Sequence, residues 1–366
     1  MPTADLTVVL ANYNHARYLP RSLDAILAQS LRPREVLVLD DVSTRDNSLE
    51  VLDGYARRDP IVRVIRNEKN LGVVANYNKG ISLATTEYVL LAAADDYTLP
   101  GYIEKCVAQL ERHRQAGLCF TYDSFTVGED GPLQENPSGW CTSPGYFTPD
   151  ELCRNLRHGI PGHAVVCRRE PLLKAGRFLP DLEWYCDWFA FLTVAFRHGA
   201  CHVPETLAIR ALLPGAYSSN ARQGPKQVEV LGAFFTRIAS PEYADVAPYF
   251  HRNGAPTFFG TDLVRAAAKR ADRWEAPILG FLNGFAPEQY EELLTDSDPA
   301  VRELAEFFLG PFWRHFAEKR AQRENEIIHL QNRLELALRQ VPPPGAFGKV
   351  RWLARSFARR LRRSAG

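Results

Sequence analysis

Two adjacent carboxylates, Asp95 and Asp96, stand where a buried strand is predicted to end. They follow an apolar run and precede an aromatic residue and a proline in VLLAAADDYTLP, residues 89–100. In an open α/β sheet, ligands bind at the carboxyl ends of the strands. Paired carboxylate oxygens at such a place suit Mg²⁺ or Mn²⁺ carrying a phosphate-bearing ligand. The residues alone also allow a plain strand-to-loop boundary whose aspartates cap a helix.

Two other predicted strands also end in polar residues. The run Leu6–Leu10 leads into Asn12–Asn14, and the run Glu35–Leu39 leads into Asp40 and Asp41. The carboxyl ends of parallel strands meet at one edge of the sheet. We therefore expect the three polar clusters to share one ligand.

These clusters need a scaffold in which strands and helices alternate. Short β-branched runs recur between amphipathic stretches, with a third strand at Ile61–Ile65 and a fourth beginning at Tyr88. Alternation at this spacing predicts a parallel sheet covered by helices on both faces. Neither GxGxxG nor GxxxxGK[ST] follows the first strand, which excludes the usual dinucleotide-binding and P-loop sites. A metal on the carboxylates must then hold the phosphates, which indicates a nucleotide-sugar site.

Composition restricts the class of protein further. The 366 residues carry a net charge of +1, and the seven cysteines show no CxxC spacing, which suits a reducing cytoplasm. The first residues lack the features of a signal peptide, and no apolar run is long enough to span a membrane. We expect a cytoplasmic enzyme.

Three stretches together resemble the inverting family 2 glycosyltransferases of GT-A fold. They are TVVLANYNHARYL, VLVLDDVSTRDNS and NLGVVANYNKGISLATTEYVLLAAADDYTLP, and the resemblance extends over about residues 6–220. It implies an α/β, Rossmann-like GT-A fold with a mostly parallel sheet flanked by helices, followed by a helical C-terminal region. The predicted parts are a glycosyltransferase domain at 1–222 (a nucleotide-binding half at 1–105 and an acceptor half at 106–222) and a helical region at 223–320.

The resemblance also implies a set of donor-binding residues. Asp95 matches the last carboxylate of the DXD motif, which binds the metal, Mn²⁺ or Mg²⁺. The residues that it implies for nucleotide binding are Asn12, Tyr13, Asn14, Asp41, Asn78 and Asp96. The sequence departs from the family pattern at two positions: Ala93 replaces the first DXD aspartate, and Tyr77 replaces an arginine that is often found there.

Asp187 is the candidate catalytic residue. It stands beside Trp188 at the start of an apolar helix, where a carboxylate could act as a general base or could cap the helix. The resemblance implies that it deprotonates the acceptor hydroxyl. It also points to Arg210 and Ser219 as residues that close over the diphosphate. No QxxRW motif is present, so we expect transfer of one sugar or a few rather than processive synthesis.

The last part of the sequence has a different character. Apolar residues at heptad spacing over 324–338 predict a short coiled-coil-like helix within 321–341 that packs on a partner helix or a second copy of the chain. After the PPPG break, residues 346–366 combine an apolar stripe with arginines and no acidic residue. Such a tail favours an anionic membrane surface. A nucleic-acid tail or an ordinary chain end are the other interpretations, and nothing else indicates nucleic-acid binding.

We therefore predict a metal-dependent hexosyl- or deoxyhexosyltransferase, cytoplasmic and peripheral on the membrane. It would transfer one sugar, with inversion, from a nucleotide-diphosphate sugar to a hydroxyl of a glycan or lipid-linked glycan, as in cell-surface polysaccharide synthesis. The first alternative is an inactive relative that binds sugar nucleotides or glycans as a scaffold, which Ala93 and Tyr77 make conceivable. A nucleotidyltransferase is the second, but ANYNHARYL is not the glycine- and lysine-rich loop that this class needs.

Overall fold

The structure is a computed structural model that describes residues 2–128, 131–135, 141–156, 159–213, 226–282, 285, 287–309 and 329. Two compact units make up the chain, residues 1–285 and residues 286–366. Ser219, the tail at 346–366 and, apart from residue 329, the heptad stretch at 324–338 lie outside the described residues. The predictions that concern them stay predictions.

One mixed sheet of ten strands forms the centre of the first unit, with the strand order β3-β2-β1-β4-β9-β6-β10-β5, while β7 pairs with β6 and β8 with β10. The strands are β1 (Thr3–Asn12), β2 (Arg32–Asp40), β3 (Val62–Arg66), β4 (Tyr88–Ala93), β5 (Tyr97–Thr98), β6 (Leu118–Val127), β7 (Leu133–Glu135), β8 (Gly145–Phe147), β9 (Val165–Arg168) and β10 (Ala200–Leu212).

The first four strands in the chain are parallel, as the alternation of strands and helices predicts. β1 lies between β2 and β4 and is parallel to both, and β3 is parallel to β2. Residues 6–10 of β1 are all buried. A continuous buried run is typical of a strand that is covered on both faces. The register places Asn12 opposite Asp40 and Ala11 opposite Ala93, so these strand ends meet at one edge.

The second half of the sheet contains the antiparallel pairs of β9. This strand begins at Val165, after a 3-10 turn at Gly162–Ala164. Pro161 precedes this turn and has no N–H to donate to a ladder. β9 also runs antiparallel to both of its neighbours, β4 and β6.

Helices cover the sheet and continue after it. They are α1 (Leu19–Leu27), α2 (Ser48–Arg58), α3 (Val73–Leu83), α4 (Tyr102–Arg112), α5 (Pro149–Asn155), α6 (Arg169–Lys174), α7 (Cys186–His198), α8 (Lys226–Ile238), α9 (Ala247–Asn253), α10 (Asp262–Ala268), α11 (Ala276–Leu282) and α12 (Pro287–Leu293), with a further helix over residues 299–309. No helix in the described part of the chain combines the length and the apolar character that crossing a bilayer requires.

α7 is buried on all sides because helices from the C-terminal half pack against it. Ten of its thirteen residues are buried. The Trp188 ring contacts Phe234 of α8 and Phe250 of α9 at centroid distances of 5.9 and 5.6 Å, and Phe189 stacks on Phe250 at 5.5 Å. A helix that is apolar all round belongs in a core. Helices α8–α11 therefore complete the core of the first unit around the helix that carries Asp187.

Candidate active site

The ends of β1 and β2 are joined by a buried hydrogen-bond network. The Asn12 side-chain amide donates to Asp40 Oδ1 at 2.8 Å and to Ser43 Oγ at 3.1 Å. Ser43 donates back to Asp40 through its backbone N–H at 3.0 Å and its hydroxyl at 2.6 Å. Asn12 Oδ1 is buried and has no hydrogen-bond partner within the described residues. Because buried polar atoms are normally satisfied, this oxygen is available to a ligand at the strand edge.

The loop after β2 contains a strained residue. Val42 has φ = 66°, which is rare for a β-branched side chain. Asn14, on the facing loop, has φ = 55°, but its side-chain oxygen accepts from the backbone N–H groups of Thr44 and Arg45, both at 3.0 Å. A backbone held in such a region typically stores about 1–3 kcal/mol and is found at functional sites. Tyr13, the residue directly before Asn14, keeps 43% of its surface exposed.

Asp41 points away from this network, towards the loop that follows β3. Its carboxylate accepts from Asn67 Nδ2 at 2.7 Å and from the backbone N–H groups of Leu71 at 2.8 Å and Gly72 at 2.9 Å. Lys79 donates to Asn67 Oδ1 at 2.7 Å. Asp41 thus fixes the loop that leads into α3. Its contact with a nucleotide base stays a prediction.

Asp95 and Asp96 follow the end of β4 and are both half-buried. Asp96 Oδ1 accepts from the backbone N–H of Ala211 on β10 at 3.1 Å. Burial, and secondarily the charge of Asp95, raise the pKa of Asp96 to about 8, while Arg210 and Arg21 act in the opposite direction. Burial and the neighbouring carboxylate thus disfavour the charged form of Asp96, and a divalent cation at this strand end would favour it.

The donor set can be tested against the predicted metal. Within the described residues, no group of three or more His, Cys, Asp and Glu side chains is placed to hold a metal ion. Mg²⁺ and Mn²⁺ do not need such a cage, since one or two carboxylates with substrate phosphates and water commonly complete their coordination. Asp95 and Asp96 fit that kind of site, and the metal itself stays a prediction.

A half-buried tyrosine, Tyr77, lies beside the end of β4. The hydroxyl of Tyr77, on α3, donates to the backbone oxygen of Ala92 at 2.9 Å. Burial first, and then the charges of Asp96, Asp95 and Asp187, raise the pKa of Tyr77 well above its usual value. Asp187 also lies near the end of β4, because Gly162 packs against its carboxylate and the next residue, His163, lines one small cavity with Asp96.

The segment before β9 closes against Asp187. Asp187 lies in the first turn of α7, and its Oδ1 accepts from the backbone N–H of Trp188 at 2.7 Å. A Cβ on Gly162 would lie 2.1 Å from Asp187 Oδ2, and one on Gly159 would lie 2.5 Å from Trp188 Nε1. A side chain at either glycine would therefore collide with the residues that position the carboxylate. The sequence analysis missed both glycines, although the motif GIPG was visible.

Asn78 occupies a different position from the strand-end residues. Its amide donates to the backbone oxygen of Phe178 at 2.7 Å and accepts from the Phe178 N–H at 3.1 Å. This pair joins α3 to the segment that leads into α7. Nucleotide binding by Asn78 stays a prediction, and the structure gives it a connecting contact between the two halves of the site.

Two arginines lie beside the carboxylates. Arg210, on β10, contacts the buried Asp123 of β6 at 3.5 Å. Arg21, on α1, donates to the backbone oxygen of Asp95 at 3.2 Å, and its guanidinium lies 4.6 Å from the centre of the Tyr97 ring. The sequence analysis singled out Arg210 but not Arg21. A signal for Arg21 was its place in the first turn of the helix after β1.

Comparisons with known proteins show which family and which fold this chain resembles. Residues 7–174 match the family model described as Glycosyl transferase family 2. Over 209 residues the chain is 32% identical to an uncharacterized protein of Mycobacterium tuberculosis, covering 56% of this chain and 58% of that protein. Over 127 residues it is 36% identical to the putative glycosyltransferase EpsE of Bacillus subtilis, covering 33% of this chain and 45% of that protein. The chain thus spans roughly half the length of these relatives.

The fold is also similar to that of a solved structure. The crystal structure of S. aureus TarS 1-349 in complex with UDP-GlcNAc superposes with a TM-score of 0.58 at 17% identity, covering 85% of this chain and 92% of that chain. The architecture is the GT-A fold, with a mixed, mostly parallel sheet flanked by helices and a helical C-terminal region, as the sequence analysis predicts. Residues 7–174 thus resemble glycosyl transferase family 2, and the chain has a fold similar to that of TarS.

Proposed function

We propose that this protein is a glycosyltransferase that transfers a single sugar, with inversion, from a nucleotide-diphosphate sugar to a hydroxyl of a glycan or lipid-linked glycan. The observation that carries the proposal is that Gly162 lies against the Asp187 carboxylate while the next residue, His163, lines one small cavity with Asp96. A candidate general base and a candidate metal-binding edge are thus close together in a chain whose residues 7–174 match the family 2 model. That TarS has been solved with UDP-GlcNAc and with UDP supports a nucleotide sugar as donor.

Asp187 is suited to the role of general base. Its Oδ1 is held by the Trp188 N–H, and it lies in the first turn of α7, where a carboxylate interacts favourably with the helix dipole. In a single displacement, the carboxylate accepts the proton of the acceptor hydroxyl while that oxygen attacks the anomeric carbon. The nucleoside diphosphate leaves from the opposite face, which inverts the configuration.

Asp95, with Asp96 beside it, would hold the metal. When bound, Mn²⁺ or Mg²⁺ would offset the negative charge that develops on the leaving diphosphate. Arg21 stabilises the same strand end. It donates a hydrogen bond to the Asp95 backbone oxygen, and its charge favours the ionised form of Asp96.

The experiment is a screen followed by an assay. Nucleotide sugars are tested by thermal shift with and without Mn²⁺, since a donor at 100 times its Kd should stabilise the protein by about 2.7 kcal/mol. The best donor is then offered with glycan acceptors, and the anomeric configuration of the product is read by NMR. A retained configuration would contradict the inverting mechanism.

An inactive, sugar-nucleotide-binding relative is the second candidate, because Ala93 stands where the first DXD carboxylate is expected. Binding of a donor without transfer or hydrolysis in the presence of Mn²⁺ would favour it. The cytoplasmic and peripheral membrane location, the helix partner and the choice between hexosyl and deoxyhexosyl donors remain predictions.

A further inference from the structure

A cluster of polar side chains lies beside the carboxylates and is not used by the mechanism above. Asp123 of β6, His163 of the turn before β9 and Arg210 of β10 come from three neighbouring elements of the sheet. Asp123 Oδ2 lies 3.5 Å from an Arg210 guanidinium nitrogen and 3.6 Å from His163 Nε2. The Asp123 side chain is only 3% exposed, whereas that of Arg210 is 39% exposed. The cluster is thus buried at one end and open at the other.

The contacts within the cluster leave hydrogen-bonding capacity unused. Both distances exceed those of a good hydrogen bond, which are about 2.7–3.2 Å. Arg210 Nε and His163 Nε2 are buried and have no hydrogen-bond partner within the described residues. Buried polar atoms in native proteins are normally paired. Two such nitrogens beside a buried carboxylate therefore indicate that a further polar group belongs there.

The charge of the cluster selects the kind of group. Asp123 and Arg210 carry opposite charges, and burial, with a smaller effect of Arg210, lowers the pKa of His163 to about 3, so the imidazole is neutral. A site with no net charge and a buried carboxylate disfavours a phosphate. It suits a hydroxyl, which can donate to the carboxylate and accept from the guanidinium.

The position of the cluster relates it to the donor. Residues 208 and 209 of β10 pair with β5, which begins directly after Asp96, and Ala211 donates to the Asp96 carboxylate. Asp96 and His163 also line one small cavity beside Ala93. A sugar attached to a diphosphate at Asp95 would therefore lie next to Arg210.

We propose that Asp123, His163 and Arg210 bind hydroxyl groups of the sugar that is transferred, and so contribute to the choice of donor sugar. This inference rests on the proposed function. It differs from the role in closing over the diphosphate that the sequence resemblance suggests for Arg210, and the two roles make opposite predictions for a nucleotide that lacks the sugar.

The test compares a nucleoside diphosphate with its sugar conjugates. The probes are UDP, GDP, ADP and dTDP and their glucose, galactose, mannose and N-acetylglucosamine conjugates, with Mn²⁺, on the full chain by calorimetry. The nucleotide that binds the wild type most tightly is used for the comparison. Asp123→Asn should reduce the affinity for its sugar conjugate about 10-fold or more and change the affinity for the free diphosphate less than about 2-fold. It should also reduce the discrimination between glucose and galactose conjugates.

Two further variants test the proposal and control for unrelated effects. His163→Ala leaves the Asp123–Arg210 pair in place. It should reduce only the affinity for the sugar conjugate, by a smaller factor than Asp123→Asn does. Asp59→Asn breaks an ion pair with Arg32 at 2.5 Å between the α2 end and β2, and should change neither affinity. Unchanged binding of the free diphosphate reports that each variant is folded.

Three outcomes would overturn the inference. If Asp123→Asn loses equal affinity for the diphosphate and for its sugar conjugate, the cluster binds the diphosphate and not the sugar. If Asp123→Asn changes the affinity for neither ligand while the wild type transfers sugar, the cluster has only a structural role and the proposed function still holds. A wild type that binds none of the probes would remove the proposed function and this inference together.

Discussion

At the scale of residues, the proposed chemistry depends on two carboxylates at the end of β4 whose surroundings differ. Asp96 accepts from the Ala211 N–H and has a raised pKa, whereas the backbone of Asp95 is fixed by Arg21. A divalent cation beside Asp95 would reduce the repulsion between the two carboxylates. Metal dependence and donor binding should therefore be linked at this pair.

Replacing Asp95 by asparagine should abolish metal-dependent donor binding and leave the fold intact. The amide keeps the shape of the side chain but lacks the charge that a divalent ion needs. Titration of the donor with and without Mn²⁺ checks this, with Asp53→Asn as a control because Asp53 forms a half-exposed ion pair with Arg66. Full Mn²⁺-dependent transfer by Asp95→Asn would rule out Asp95 as the ligand.

Replacing Asp187 by asparagine should reduce turnover far more than donor affinity. Loss of a general base typically costs about 10²–10⁴-fold in rate. The amide oxygen can still accept from the Trp188 N–H, so the start of α7 should be retained. Steady-state kcat and calorimetric donor Kd separate the two effects. A matching loss of donor affinity would place Asp187 in the nucleotide site.

At the scale of elements, the site depends on close packing between α7 and the turn before β9. Gly162 allows that turn to lie against the Asp187 carboxylate, while Trp188 is fixed on the other side by aromatic residues of α8 and α9. The position of the base is thus set by a glycine contact and an aromatic core together.

Gly162→Ala should lower turnover by up to about 10²-fold, because the new Cβ would lie 2.1 Å from Asp187 Oδ2 and must displace it. Gly54→Ala is a matched control, since Gly54 lies within α2 and a Cβ there would meet no atom within 4 Å. The control should keep full activity and gain roughly 0.4–1 kcal/mol of stability. If Gly162→Ala keeps the wild-type turnover, the turn shifts to accommodate the Cβ without displacing Asp187.

At the scale of the whole molecule, the sequence predicts a membrane-binding tail that is separate from the site. Removing the residues after Gly345 should release the protein from anionic liposomes and leave transfer to a soluble acceptor unchanged. The six arginines and one lysine in this stretch could each add about 1 kcal/mol at an anionic surface, and salt should weaken the binding. Flotation of the full-length and truncated proteins decides the point, and equal flotation would reject the prediction.

The sequence by itself determined the parallel half of the sheet and the polar ends of its strands. Continuous apolar runs specify buried strands, and parallel strands must end at one edge, so the sequence alone groups Asn12, Asp40 and Asp95. The motifs in the same stretch were sufficient to indicate the family, because their order and spacing extend over most of the first two hundred residues.

Only the tertiary structure decided which distant side chains meet. Asp187 joins Asp95 through the packing of α7, and Arg21 and Gly162 reach the site from elements whose local pattern carries no sign of it. The sequence pattern also did not indicate that β9 is antiparallel or that Val42 has a left-handed backbone conformation. The physical reason is that periodicity records which residues are buried, whereas long-range contacts depend on how whole elements pack.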